Sequence, residues 1–205
     1  MESTKRRVLT IAGAIAMLAL PAIVSGQTAA INRPDLKVGD KWKVERRDLR
    51  TKALIFSEET VVTSVSPEKI EVSINDSPGS MSPNLTILDG PRLAYDTGYE
   101  FVRFPLEVGK KWDFKTRWHN KQAGADGTTQ AEVAVKSVES VKVSAGEFDA
   151  YKLEANGYMN LDSGGGRRIS FTYWYAPKAK AIVRMEFVDR RDDFVSELVE
   201  LSFAP

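Results

Sequence analysis

The 205-residue sequence contains no cysteine and one histidine, His119. Without cysteine there is no disulfide, no lipidated cysteine of a bacterial lipoprotein and no thiolate zinc site. A single histidine rules out a His-rich metal centre, and any Ser-His-Asp arrangement would have to be built around His119. That residue stands between Trp118 and Asn120 at the edge of an expected hairpin, which favours a surface role over general-base chemistry. A phosphate loop is missing too. Gly164-Gly165-Gly166 leads into an expected strand and therefore lacks the helix N-terminus that binds phosphate. Charge of one sign is not in excess, with 29 basic side chains against 28 acidic. Such balance argues against nucleic acid as a partner, because neutralising phosphates needs a concentrated basic face.

One long apolar run does exist. Residues 8–24 follow Lys5, Arg6 and Arg7 and end in Val24-Ser25-Gly26. A basic head, an apolar stretch and small residues at a peptidase site make residues 1–26 an export signal, cleaved after Gly26 or after Ala30. An uncleaved anchor is the competing reading, but Pro21 breaks the helix just before the small residues and Gln27-Thr28 does not continue a span. Cleavage after Gly26 leaves 26 basic and 27 acidic side chains. The expectation is a periplasmic or secreted protein with a short flexible lead-in over 27–33, one domain over 34–205 and no stable membrane span.

The mature chain is dominated by short runs of Val, Ile, Thr, Phe and Tyr broken by Gly, Pro, Asn and Asp, which is the signature of strands. Ile169, Phe171, Tyr173 and Tyr175 alternate with Ser170, Thr172 and Trp174; Val183, Met185 and Phe187 alternate with Arg184 and Glu186. This period of two predicts antiparallel neighbours over 168–175 and 181–189, with both apolar sets on one inward face. Further strands are expected over 41–48, 54–65, 69–74, 92–95, 99–104, 111–118, 129–143, 148–160 and 194–203. Residues 75–91, rich in Ser, Pro and Gly, read as a long loop. The fold class is all-β, as a curved sheet, sandwich or half-barrel.

A segment recurs. Leu36-x-Val38-Gly39-x-Lys41-Trp42 returns as Leu106-x-Val108-Gly109-x-Lys111-Trp112 at an offset of 70. A glycine can turn the chain sharply ahead of a strand, and a tryptophan can anchor that strand's start in a core. The simplest account is two related antiparallel meanders, about 34–103 and 104–205, closing on a common core.

Around the second copy the chain resembles a family. Phe104-Pro105-Leu106-x-Val108-Gly109-Lys110-x-Trp112, Val143-x-Ala145-Gly146-x-Phe148-x-Ala150-Tyr151-Lys152, Tyr173-Trp174-Tyr175-Ala176-Pro177 and Ile182-Val183-Arg184 are similar to the TapB-like domain of exported bacterial proteins. The resemblance implies an exported all-β domain and carries over no catalytic residue. A glycine usual to that family shortly after the Trp-Tyr-x-Pro element is replaced here by Lys178-Ala179-Lys180-Ala181, so a different turn is expected.

The remaining chemistry is sparse. Tyr95, Asp96, Tyr99 and Glu100 could stack on and hydrogen-bond a sugar, but a hairpin turn at Asp96-Thr97-Gly98 explains them without a ligand. Glu45-Arg46-Arg47-Asp48 and the similar run at 189–193 read as solvated strand ends. No cofactor or metal is called for. The reading is a non-catalytic envelope module that binds a lipid-like apolar ligand or a protein partner, with Ile169, Phe171, Tyr173, Tyr175, Val183, Met185 and Phe187 as the ligand face. A carbohydrate-active hydrolase using paired carboxylates is the alternative.

Overall fold

The structure is a computed structural model that describes residues 30–189 and 193–205. The export signal and the centre of the 189–193 run lie outside the described residues. Twelve strands are present among the described residues: β1 (Lys41–Asp48), β2 (Leu54–Val65), β3 (Ile70–Ile74), β4 (Ser77–Met81), β5 (Ile87–Asp89), β6 (Leu93–Tyr99), β7 (Lys111–Asn120), β8 (Ala125–Val143), β9 (Gly146–Leu161), β10 (Gly166–Ala176), β11 (Ala181–Val188) and β12 (Phe194–Ser202). Each pairs with its sequence neighbours, and β12 returns antiparallel to β1 to close a barrel. Closure removes the unpaired edges that an open sheet of this size would expose. The curved sheet expected from the sequence is therefore fully closed.

Local pattern explains most strands. In β7, exposed and buried residues alternate from Lys111 to Phe114 and on to Trp118, as a half-buried strand requires. Residues 75–91 depart from the loop expected for them, because β4 and β5 lie within them. Pro78 is tolerated since β4 is paired to β5 only from Ser80 onward, so no ladder bond is lost on that side. Gly79 is needed for packing: a Cβ there would lie 2.8 Å from Ile74 Cδ1. The hairpin expected at Asp96-Thr97-Gly98 does not form, since β6 continues through it with an irregularity at Gly98, whose φ is 83°. Residues 99–104 lead instead to a cis Phe104–Pro105 peptide.

Because the strands alternate in direction, the ring has two ends. At one, the starts of β1 and β7 are preceded by the two recurring segments, which share one backbone geometry. Gly39 and Gly109 have φ of 93° and 90°. Gly39 N donates to Val62 O and Gly109 N to Val135 O, each at 2.9 Å, while Val62 N and Val135 N donate back to Asp40 O and Lys110 O. Trp42 and Trp112 are both buried. Residues 30–33 are tied to this end by Ile31, which exchanges two backbone hydrogen bonds with Leu106. The tip of the β8–β9 hairpin also folds over it, with Ala145 N donating to Leu198 O at 3.2 Å. A register shift between Val135 and Ser137 of β8 re-aims that long hairpin.

Apolar side chains form two cores. The first gathers Trp42, Val62, Val72, Val141, Trp174, Val183 and Leu198. The second gathers Tyr99, Leu106, Trp112, Val133, Leu153, Tyr173 and Tyr175. Consecutive residues of β10 enter different cores, so both faces of that strand are covered near the closed end.

Candidate functional site

The other end, which we call the mouth, is built differently. Arg46 follows Trp42 and Val44 on the same face of β1 and lies opposite Phe56 of β2 and Ser196 of β12. This face points inward, since it continues into Val62, Leu198 and Tyr173, all fully buried. The Arg46 guanidinium is sandwiched between two rings, 4.4 Å from the centroid of Phe56 and 3.9 Å from that of Phe194, a stacking that suits its planar delocalised charge. Its Nε donates to Ser196 Oγ at 3.0 Å. From there an aromatic row crosses the strands: Phe194 to Phe187 at 5.1 Å, Phe187 to Phe171 at 4.6 Å, and Phe171 to Phe101 at 6.4 Å. Phe56, Phe194, Phe171, Phe101 and Met185 are inward yet only half-buried.

Charge accompanies the row. Glu58 shares the inward face of β2 with Phe56 and lies diagonal to Arg46, because Val44 opposes Glu58 where Arg46 opposes Phe56. Arg92, exposed in the turn between β5 and β6, is near enough for its charge to act on both. Burial holds the Arg46 guanidinium down at about 10, with the Glu58 charge opposing that shift and the Arg92 charge adding to it. Burial likewise raises the Glu58 carboxyl, against the pull of Arg46 and Arg92. Tyr95 of β6 is pushed up to about 12 by burial alone.

The residues expected to form the ligand face are distributed as follows. Phe171 opposes Phe187 and Tyr173 opposes Met185 across β10 and β11. Tyr173 and Tyr175 belong to the second core, and Phe171 and Met185 pack against it. Ile169 and Phe187 are buried. Val183 enters the first core, because the register slips between Trp174 and Tyr175: Trp174 opposes Arg184, but Tyr175 opposes Ile182. The bulge turns Ile182 toward the second core in its place. Tyr173 is further anchored by its hydroxyl, which donates to Phe101 O at 2.5 Å; burial lifts its pKa well above the ordinary value.

Arg46 was not distinguishable by sequence from the charged run around it, and the reading of Glu45-Arg46-Arg47-Asp48 as wholly solvated fails at this residue. The available signal was the alternation Trp42, Val44, Arg46, which puts the arginine in line with two core residues.

The cluster of Tyr95, Asp96, Tyr99 and Glu100 separates into unrelated contacts. Tyr95 and Tyr99 stack within the ring at 5.4 Å, while Glu100 accepts from Arg103 through both oxygens. Asp96 instead meets His119. The imidazole lies between two carboxylates, Nδ1 at 2.8 Å from Asp126 and Nε2 at 3.0 Å from Asp96, and Arg117 pairs with Asp162 beside them. These groups are exposed, and their hydrogen bonds, Asp126 first, raise the His119 pKa. No group of His, Asp and Glu among the described residues is arranged to hold a metal ion. Two outer clefts of about 320 Å³ each are lined by Glu100, Arg103, Asp113 and neighbours, and by Asn156, Gly157, Tyr158 and Arg168; neither includes a residue of the expected ligand face. Among the described residues no helix is long and apolar enough to cross a membrane.

At the closed end Asp40 is fully buried. Its carboxylate accepts from Lys37 N, from Ala204 N and from Lys180 Nζ at 2.8 Å. Burial alone would raise its pKa, but these hydrogen bonds and the Lys180 charge outweigh that and lower it. Lys180 follows the 3-10 turn Pro177–Ala179 with φ of 53°, so a lysine holds the left-handed position at this turn.

No family model matches this chain, and no curated protein matches it by sequence. Solved structures share its fold. A candidate lipoprotein from Parabacteroides distasonis is 14% identical with a TM-score of 0.62, over 86% of this chain and 100% of that one. A candidate exported protein with a YmcC-like fold from Bacteroides fragilis is 14% identical with a TM-score of 0.59, over 85% and 100%. The hypothetical lipoprotein YmcC from Escherichia coli is 10% identical with a TM-score of 0.50, over 81% and 85%. At these identities the likeness is one of fold: an all-β chain similar in architecture to the YmcC-like fold.

Proposed function

We propose that this protein is an exported, non-catalytic binding module of the bacterial cell envelope, periplasmic or secreted, which takes an apolar ligand into the mouth of its ring. One observation carries the reading. Phe56, Phe171, Phe101, Phe194 and Met185 face inward in a closed sheet and yet are only half-buried, whereas inward side chains of a filled barrel are buried. Apolar surface held open to water in a concave setting is what ligand sites present. The export signal read at residues 1–26 supports the compartment, as do the fold neighbours described as candidate lipoproteins or exported proteins. The motifs around Trp112 and Trp174 support membership of the TapB-like family. The matched turns at Gly39 and Gly109 support treating 34–103 and 104–205 as related meanders within one domain.

Native mass spectrometry of protein purified from its own host tests the reading. A co-purified lipid-like molecule that is lost in a folded Phe171→Asp variant is the expected result. Protein that carries no small molecule and takes up none from a lipid extract would refute carriage.

A further inference from the structure

The mouth is apolar on one side only, and the identity of its charges narrows the ligand. Arg46 donates through Nε to Ser196, and the two terminal amino groups of this half-buried guanidinium have no acceptor among the described residues. A guanidinium offers its terminal pair in a geometry suited to carboxylate or phosphate oxygens. Glu58 sits diagonal to it without a direct ion pair. Arg92, exposed in the turn between β5 and β6, is near enough for its charge to act on both, so among the described residues coupled here two positive charges stand against one negative charge. The neighbouring Arg167 is already matched by Asp189 at 2.8 Å. The aromatic row runs away from Arg46 in a line, with rings tilted or edge-on to one another. Such a wall offers no flat platform for a base or sugar but accommodates a flexible alkyl chain.

Building on the carriage reading above, we propose that the ligand is a single-chain amphiphile with one negative charge, its head held by Arg46 and its chain laid along the half-buried rings of Phe194, Phe171 and Phe101. The surplus positive charge selects an anion over a neutral or cationic head of the same chain length. The Glu58 charge offsets part of that surplus. The exposed apolar residues Leu54, Ile55, Leu161 and Val188 at the strand ends around this opening give an entering chain a surface to meet first.

The test is a calorimetric titration of the signal-cleaved protein with dodecanoate, dodecanol and dodecyltrimethylammonium at neutral pH, below their micellar concentrations. Dodecanoate should bind about tenfold or more tighter than dodecanol, the margin expected from charge-assisted hydrogen bonds, and the cation should bind weakest. Arg46→Met should remove that margin by weakening dodecanoate about tenfold more than it changes dodecanol. Glu58→Gln should tighten dodecanoate by a few-fold, about what removing one nearby like charge gives. Should Arg46→Met fail to fold, Arg92→Ala, at an exposed turn position, should still reduce the dodecanoate margin by a few-fold. Equal binding of all three probes, unmoved by these variants, would overturn the head-group assignment and leave apolar carriage standing. Failure of every probe to bind would overturn carriage itself.

Discussion

The two ends of the ring use the same ingredients, an aromatic side chain and a nearby charge, to opposite effect. At the closed end Trp42 and Trp112 are buried, and Asp40 is matched by one lysine and two backbone amides. At the mouth Phe56, Phe101, Phe171 and Phe194 stay only half-buried, and Arg46 and Glu58 lie diagonally on neighbouring strands without an ion pair. Satisfied polar groups and filled volume make a lock, whereas unmatched charge beside open apolar surface makes a place for something else. Changes at the closed end should therefore cost stability and spare binding, and changes at the mouth should do the reverse.

The largest expected effect is at the tryptophans. Trp42→Ala and Trp112→Ala should each destabilise the domain by about 3–5 kcal/mol in chemical denaturation. Phenylalanine separates them, because Trp42 Nε1 donates to Ala179 O at 2.7 Å while Trp112 Nε1 has no acceptor among the described residues. Trp112→Phe should cost under about 1.5 kcal/mol. Trp42→Phe should cost about 1 kcal/mol more, for the carbonyl left unpaired. Equal losses would break the distinction between the two copies of the turn.

Next comes the charge at each copy. Asp40→Ala should cost about 3 kcal/mol, since it strands Lys180 and two amides. Lys110→Ala, which removes only bonds to the Arg103 and Pro105 carbonyls, should cost about 1 kcal/mol. Because the folded Asp40 pKa lies below its ordinary 3.8, its contribution is complete above that value and disappears as pH falls through the lowered folded pKa. The difference between wild type and Asp40→Ala should accordingly shrink only in strong acid.

At the mouth, Phe56→Ala should lower stability by about 1 kcal/mol, because its ring is only half-buried. Dodecanoate affinity should fall by a larger factor than stability does. A loss of stability as large as that of Trp42→Ala would mean that the mouth is a sealed core.

The smallest effect concerns His119, whose exposed ion pairs contribute little to folding. Its proton titration by NMR should show a midpoint above the ordinary 6.5. Any stabilisation it provides is complete below that value and lost as pH rises through the raised folded pKa. Asp126→Asn should return the midpoint toward 6.5, and Asp96→Asn should do so less.

Much of the sheet could be read along the chain. Strands β1 and β2 have the boundaries expected from alternation, and the β10–β11 pairing follows from two facing apolar sets. The two Val-Gly-x-x-Trp segments announced matching turns. The strands missed are short: β4 carries proline, glycine and serine, residues that score as turn unless a neighbouring strand recruits them, and β5 has only three residues, too few to show a period. The candidate site was only half legible. Phe171, Met185 and Phe187 were visible as one face, whereas Arg46 and Glu58 look like any surface charges until β1, β2 and β12 are laid side by side.

Period-two alternation is a property of neighbouring residues, so the chain alone specified which side chains share a face within the longer regular strands, and that the fold is all-β. Three matters required the assembled ring: its closure through β12 and β1, the bulge that sends Val183 and Ile182 to different cores, and the choice of which end is filled. Each rests on contacts between distant segments, as between Asp40 and Lys180 or Arg46 and Phe194. Such contacts depend on register and on the space left after packing, and neither is encoded in any local pattern.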